Sequence, residues 1–486
     1  MKKVFYLLLW LVALLLIIVI IKALLFSSKQ VEVAVSESEP FGDYVTEHLT
    51  EAISYPTVSY SEDSPIDTSA FENYMDFIER TYPLVNSKLD KELFNKFSLL
   101  YHWRGSNASL KPMVLMAHYD VVPVGDTASW EKQPFSGIDD GTYIWGRGTL
   151  DDKAAMISIL EAAERLLQEG WEPQRSIYFS FGHDEEIGGA RGAETIANEL
   201  KDRGIHPEFI LDEGMAVTKG MIPMMAKPVA LIGTSEKGYF SVRLSVEMPG
   251  GHSSQPEKES AITVLNKALY DLVDNQMKAA ISGPVNDFIR YIGPEMPFYA
   301  RAIFANKWLF KGLLLHIYEG SGSGNALVRT TTAPTMINAG IKDNIIPTRA
   351  EAVINFRILP GETSEDVLKH INKVVGDERV KAEAYQDFVD EPSPVSPSDT
   401  YGFMKILTAV RQTYPEAVVA PTMMIGASDS RHFSIVSENI YKFAPIVVTR
   451  EDMAGIHGIN ERTSREDFRR GVSFFYRLIS ISSDGS

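Results

Sequence analysis

Three apolar runs, "MVLMAHYD" (113–120), "SIYFSFGHDEE" (176–186) and "EFILDEG" (208–214), each end on His, Asp or Glu, with helix-patterned stretches between them. Strands buried on both faces read as continuous apolar runs of this kind. Their alternation with helices predicts a mostly parallel, mixed sheet flanked by helices. In open sheets of that type ligands bind beyond the carboxyl ends of the strands. The ionisable residues therefore fall where an α/β fold has its site.

A chain of 486 residues is too long for one ordinary core, so two domains are expected. The first begins near residue 42 and its pattern changes near 236. From there "GYFSVRLSVEMPG" alternates like a half-exposed strand and "SAITVLNKALYDLVDN" is an amphipathic helix. "TTAPTMINAGI" and "AEAVINFRILP" then read as strands, "SEDVLKHINKVVG" as a helix and "VKAEAYQDF" as a strand. This β-α-β-β-α-β order is that of a small α+β, ferredoxin-like domain. "DEPSPVSPSD" reads as a linker back to helix–strand alternation. We thus expect a catalytic domain in two parts, 42–235 and 391–486, with a second domain, 236–390, inserted as a lid or dimerisation unit. Residues 276–325, which carry aromatics throughout, would enlarge that second domain.

Val4 to Ile21 run 18 positions without a charge, long enough with "ALLF" beyond Lys22 to span a hydrocarbon core. A cleaved signal has a shorter apolar region and a small-residue cleavage site close behind it. The expectation is a transmembrane anchor at 1–26, followed by a Ser/Glu-rich stalk at 27–41. Lys2, Lys3 and the amino terminus place the N-terminus in the cytoplasm and the remaining chain outside it. Net charge is −17 with no long basic run, which argues against a nucleic-acid partner. Asn107-Ala-Ser109 is a glycosylation sequon. With no cysteine, any metal must be held by His, Asp and Glu.

His118 and Asp120 share a face of an extended segment, so Asp120 is placed to accept the ring proton a metal would not displace. Alone, the pair is weak evidence and reads sooner as a polar loop. In "WGRGTLDDKAAM" (145–156) the glycines permit a tight turn and Asp151 and Asp152 precede a helix; an N-cap explains one Asp better than two. Asp184, Glu185 and Glu186 end a strand side by side, which is either a solvated turn or a set of acids screened by a cation. Asp212 closes another strand, and His457 lies between glycines in "AGIHGINER" (454–462). Together, two His and several carboxylates without Cys suit one or two zinc ions that hold water.

The motifs "MAHYDVVPV", "WGRGTLDDK", "FGHDEEIGG", "LDEG", "PGGHSS", "DNIIP" and "GIHGINE" stand in the order of a known family. From about residue 42 to 480 the chain resembles the di-zinc aminoacylase and carboxypeptidase metallopeptidases. The resemblance is greatest to the carboxypeptidase S branch and relatives that act on N-acyl amino acids. It implies that His118 and Asp212 bind one zinc, that Glu186 and His457 bind the other, and that Asp151 bridges them. It further implies that Asp120 orients His118, that Glu185 is the general base and that the Asp151–Asp152 peptide is cis. His252 matches a lid histidine that stabilises the oxyanion, and Asn344 a lid residue near the substrate. Arg431, with Gly426 in the loop "GASDSRHF" (426–433), and Arg357, in a regular strand, are candidates to grip a substrate carboxylate.

The implied activity is zinc-dependent hydrolysis of an amide beside a free C-terminal amino acid, on a short peptide or small molecule. N-acyl amino acid hydrolysis, or its reverse, is the alternative. Co²⁺ and Mn²⁺ suit the same ligands. A homodimer through the inserted domain is expected. A silent membrane-anchored binding protein would have lost a ligand or the base, and none of those positions is vacant.

Overall fold

The computed structural model describes residues 1–33, 41–61 and 63–483. A ten-stranded mixed sheet organises the larger domain. Its centre is parallel: Met113–His118 lies between Ile177–Gly182 and Phe209–Asp212, and Ile440–Lys442 continues beyond Phe209–Asp212. His118 is level with Gly182, and Lys442 with Asp212. Four strands thus release their chains at one edge. Antiparallel Ser98–Trp103 and Asp90–Phe94 extend one side of the sheet.

Alternate residues of the buried strands feed two cores. Met113, Leu115, Ala117, Phe179 and Phe181 join the core that also holds residues of helices Lys153–Gln168, Tyr401–Thr413 and Arg465–Ser482. Val114, Met116, Tyr178 and Ile210 pack with helix Ala193–Asp202 on the other face. The period-2 geometry of a strand explains why both faces had to be apolar.

The second sheet is antiparallel, in the order Thr331–Ala339, Arg349–Ile358, Gly238–Glu247, Val380–Asp390. Helices Ala261–Asp274 and Ser364–Val375 share its core, which realises the expected β-α-β-β-α-β order. Residues 276–325 do not simply enlarge this unit. Helix Gly283–Ile292 packs on strand Val418–Met424, and Tyr291, Ile292, Met296 and Ala300 enter the first domain's core. The physical reason is that the two helices already cover the apolar face of the second sheet, so the added helices bury their faces elsewhere.

Helix Lys2–Leu25 spans 24 residues with mean hydropathy 3.3 in its most apolar window, and only Ala23 is buried. Residues 34–40 of the expected stalk lie outside the described residues. The part before them is docked: the Gln30 side chain exchanges two 2.8 Å hydrogen bonds with the Val419 backbone.

Between residues 146 and 152 the chain turns tightly before helix Lys153–Gln168, and Gly148 adopts a φ of +94° that L side chains disfavour. Glu461, fully buried, holds this turn. Its carboxylate accepts the Gly148, Leu150 and Asp151 amides at 3.0, 2.8 and 3.3 Å and pairs with the buried Arg147 guanidinium at 2.5 Å. Glu461→Gln removes one charge of a buried pair, so we expect a loss of about 3–5 kcal/mol by chemical denaturation. A loss below about 1 kcal/mol, the range of an exposed pair, would show that the pair carries little of the turn's stability.

Candidate active site

The carboxyl edge of the parallel strands gathers the acids and imidazoles. His118 is the last residue of its strand and is 1 % exposed. Its Nε2 lies 2.9 Å from Asp151 Oδ1, while Asp151 Oδ2 lies 3.1 Å from His457 Nε2. One carboxylate therefore addresses two imidazoles with its two oxygens. His457 Nε2 is also 3.3 Å from Glu186 Oε2, and ligand atoms of His118, Asp151 and Glu186 all lie within 4.8 Å of one another. The Asp151–Asp152 peptide is cis. Asp152 sits at the N-cap position, but its side chain makes no cap hydrogen bond there.

Asp120 meets the His118 ring through two groups. Its backbone carbonyl is the nearer partner of His118 Nδ1, at 3.0 Å against 3.4 Å for the carboxylate. The carboxylate accepts the Glu185 and Glu186 amides, each at 3.2 Å, and so fixes the turn that carries them. Glu185 Oε2 stands 3.9 Å from His118 Nε2.

Electrostatics mark the place as a cation site. Burial raises the Glu185 pKa well above the usual range; His118 opposes this, and Asp429, Glu186 and Asp151 reinforce it. Burial likewise raises Glu186. Burial pushes Asp151 upward too, yet the His118 and His457 hydrogen bonds outweigh it and hold the group low. Glu186 Oε1 is buried without a hydrogen-bond partner. A divalent cation would satisfy that oxygen and neutralise the excess carboxylate charge, so the residues present fit a bound metal.

Asp212 ends its strand buried among the site acids, where its charge acts on Asp152, Glu213 and Asp429. Its carboxylate accepts the Ser430 amide at 2.8 Å, turned toward the 428–430 loop. Glu213, the next residue, is raised well above its usual pKa by burial and then by Asp151, Asp152, Asp212 and Glu185, so it lies among the site acids. Both acids of "LDEG" therefore stand within electrostatic reach of the site carboxylates. Asp429 is a further acid the sequence reading missed. Burial and then Asp212 raise it, and a Cβ at Gly182 or Gly189 would collide with its carboxylate.

The remaining candidates lie apart. His252 and Asn344 share an exposed ribbon, Gly251–His252 paired with Ile345–Ile346, where the Asn344 carbonyl accepts the Ser253 amide. Arg357 stacks on Tyr239 at 4.7 Å. Arg431 already has a carboxylate partner, Asp390, at 3.3 Å, and donates to the Gly188 carbonyl at 3.0 Å. Gly426 is exposed beside Met424.

Residues 114–481 match the peptidase family M20/M25/M40. The chain is 40% identical over 465 residues to the probable carboxypeptidase S-like 2 of Dictyostelium discoideum, covering 93% of this chain and 89% of that one. It is 39% identical over 458 residues to the human N-fatty-acyl-amino acid synthase/hydrolase PM20D1, covering 93% and 88%. The crystal structure of an M20 family metallo-carboxypeptidase, Sso-CP2 from Sulfolobus solfataricus, shares the fold with a TM-score of 0.66 at 19% identity, covering 91% and all of the two chains. The chain therefore belongs to the peptidase family M20/M25/M40 and is a hydrolase of the metallopeptidase type.

Proposed function

We propose that this chain is a two-metal hydrolase, zinc-loaded, that cleaves an amide bond beside a free C-terminal amino acid. We further propose that its N-terminal helix anchors it with the catalytic domain outside the cytoplasm. The observation that carries the reading is Asp151, whose two oxygens address His118 and His457. His118 with an acid of the 212–213 pair would hold one metal, and Glu186 with His457 the other, sharing Asp151. Bound there, such metals lower the pKa of a coordinated water and polarise a carbonyl.

Glu185 moves the proton. Its raised pKa suits a carboxylate that accepts a water proton and returns it to the departing amine nitrogen. Asp120 keeps Glu185 and Glu186 in place through their amides. His252 and Asn344, on one ribbon, would reach the site together if the second domain closes. Arg431 would exchange Asp390 for the substrate carboxylate, with Arg357 and the Gly426 loop nearby. Strand Thr331–Ala339 leaves an exposed edge carrying Met336 and Ile337, which supports pairing with a second copy.

The substrate is a short peptide or an N-acyl amino acid. The second reading is supported by 41% identity over 442 residues to the N-fatty-acyl-amino acid synthase/hydrolase PM20D1 of Xenopus tropicalis. Amide hydrolysis is reversible, so synthesis at high reactant concentration belongs to the same site.

Glu185→Gln should lower kcat by about 10²–10⁴-fold while metal content stays at the wild-type value. Retained turnover on a dipeptide and on a long-chain N-acyl amino acid would remove Glu185 as the base. The third acid ligand is distinguished by metal analysis: Glu213→Gln should lose bound metal and Asp212→Asn should keep it. The reverse pattern returns the role to Asp212.

A third expectation concerns pH. Buried Glu185, Glu186 and Glu213 keep protons at pH values where ordinary carboxylates are ionised. A metal must displace those protons, so affinity should fall as pH drops from about 7.5 to 5.5. Calorimetry of the stripped protein in buffers of different ionisation enthalpy should record net proton release. Binding without proton release would contradict the pKa directions.

A further inference from the structure

We propose that helices Phe298–Ala305 and Lys307–Glu319 form a second membrane contact, lying in the interface of the bilayer that Lys2–Leu25 crosses. The proposal rests on the N-terminal helix being an anchor. The two helices are fixed to it at a defined depth. Arg301 donates to the Leu24 and Phe26 carbonyls at the helix end, at 3.4 and 2.6 Å. Asn306, fully buried between the two helices, donates to the Val19 carbonyl at 3.0 Å. Val19 lies six residues before the end of the anchor, about 9 Å inward at the rise of an α-helix. Any bilayer that takes the anchor therefore takes the 305–308 corner with it.

What this corner presents outward is apolar. By helical spacing Leu309, Leu313 and Ile317 share one stripe of Lys307–Glu319 and are 40–56 % exposed, and Trp308, 57 % exposed, stands at the start of the helix beside Leu309. Lys311, His316 and Glu319 are exposed polar residues flanking that stripe, while Leu314 packs inward. Phe298 and Tyr299 add exposed aromatics on the preceding helix. Lys22 lies 5.4 Å from the Trp308 ring, an ammonium and an indole at the level where both are favoured in membranes. A monomer rarely leaves so continuous an apolar face to water, and amphipathic helices of this kind bury theirs at the acyl boundary.

The chain has no cysteine, so one introduced thiol labels one position. The full-length protein would be reconstituted in phosphatidylcholine vesicles, with or without nitroxide on the acyl chains, carrying a fluorophore at Leu313→Cys. Ile317→Cys repeats the reading one turn on, Val12→Cys reports the anchor and Tyr270→Cys the exposed second domain. The expected result is quenching at 313 and 317 comparable to that at 12, with none at 270. Quenching at 12 alone overturns the proposal and leaves the anchor. No quenching at 12, 313 or 317 overturns both. Label at 313 that is shielded from aqueous iodide yet unquenched by lipid shows a protein covering and also overturns it.

Discussion

The buried pair between Arg147 and Glu461 joins two loops that are more than 300 residues apart in sequence. One loop carries Asp151 and the other His457, and the meeting of those two side chains makes the site possible. Three amides of the 148–151 turn end on the same Glu461 carboxylate, so the turn's backbone is fixed before Asp151 is offered to either imidazole. Burying a charge pair is expensive, and removing one partner strands the other in a low dielectric. A rigid site is what that expense secures: carboxylates at one sheet edge repel one another and stay together only if the scaffold holds them and cations offset their charge.

Much of this arrangement was legible in the chain. Apolar runs ending on His118, Glu185 and Asp212 pointed to one sheet edge, because parallel strands must release their loops on the same side. The antiparallel sheet and its two helices follow the changed periodicity after residue 236. The added acid Glu213 beside Asp212 was not legible, since residue types alone do not fix where a carboxylate points at a strand end. Asp120 was read as a carboxylate that orients a ring; that carboxylate does stand 3.4 Å from His118 Nδ1, but the nearer carbonyl and the clamp on two amides were not legible. Backbone acceptors leave no trace in residue types. Glu461 and Asp429 escaped for a related reason: their partners lie far away in sequence, and no local pattern announces a pairing across the chain.

The 276–325 segment makes the same point at the scale of packing. Its adjacency in sequence to the smaller domain suggested that it would belong there. Apolar faces go where uncovered apolar surface exists, and that was the first domain and the N-terminal helix.

The central claim is that Asp151 is shared by two metal ions. Anomalous diffraction at the zinc edge, from crystals of the protein grown with zinc, tests it most directly. The account predicts two peaks, one beside His118 and one between Glu186 and His457, with Asp151 touching both. A single peak, or a pair to which Asp151 contributes no ligand, would contradict it.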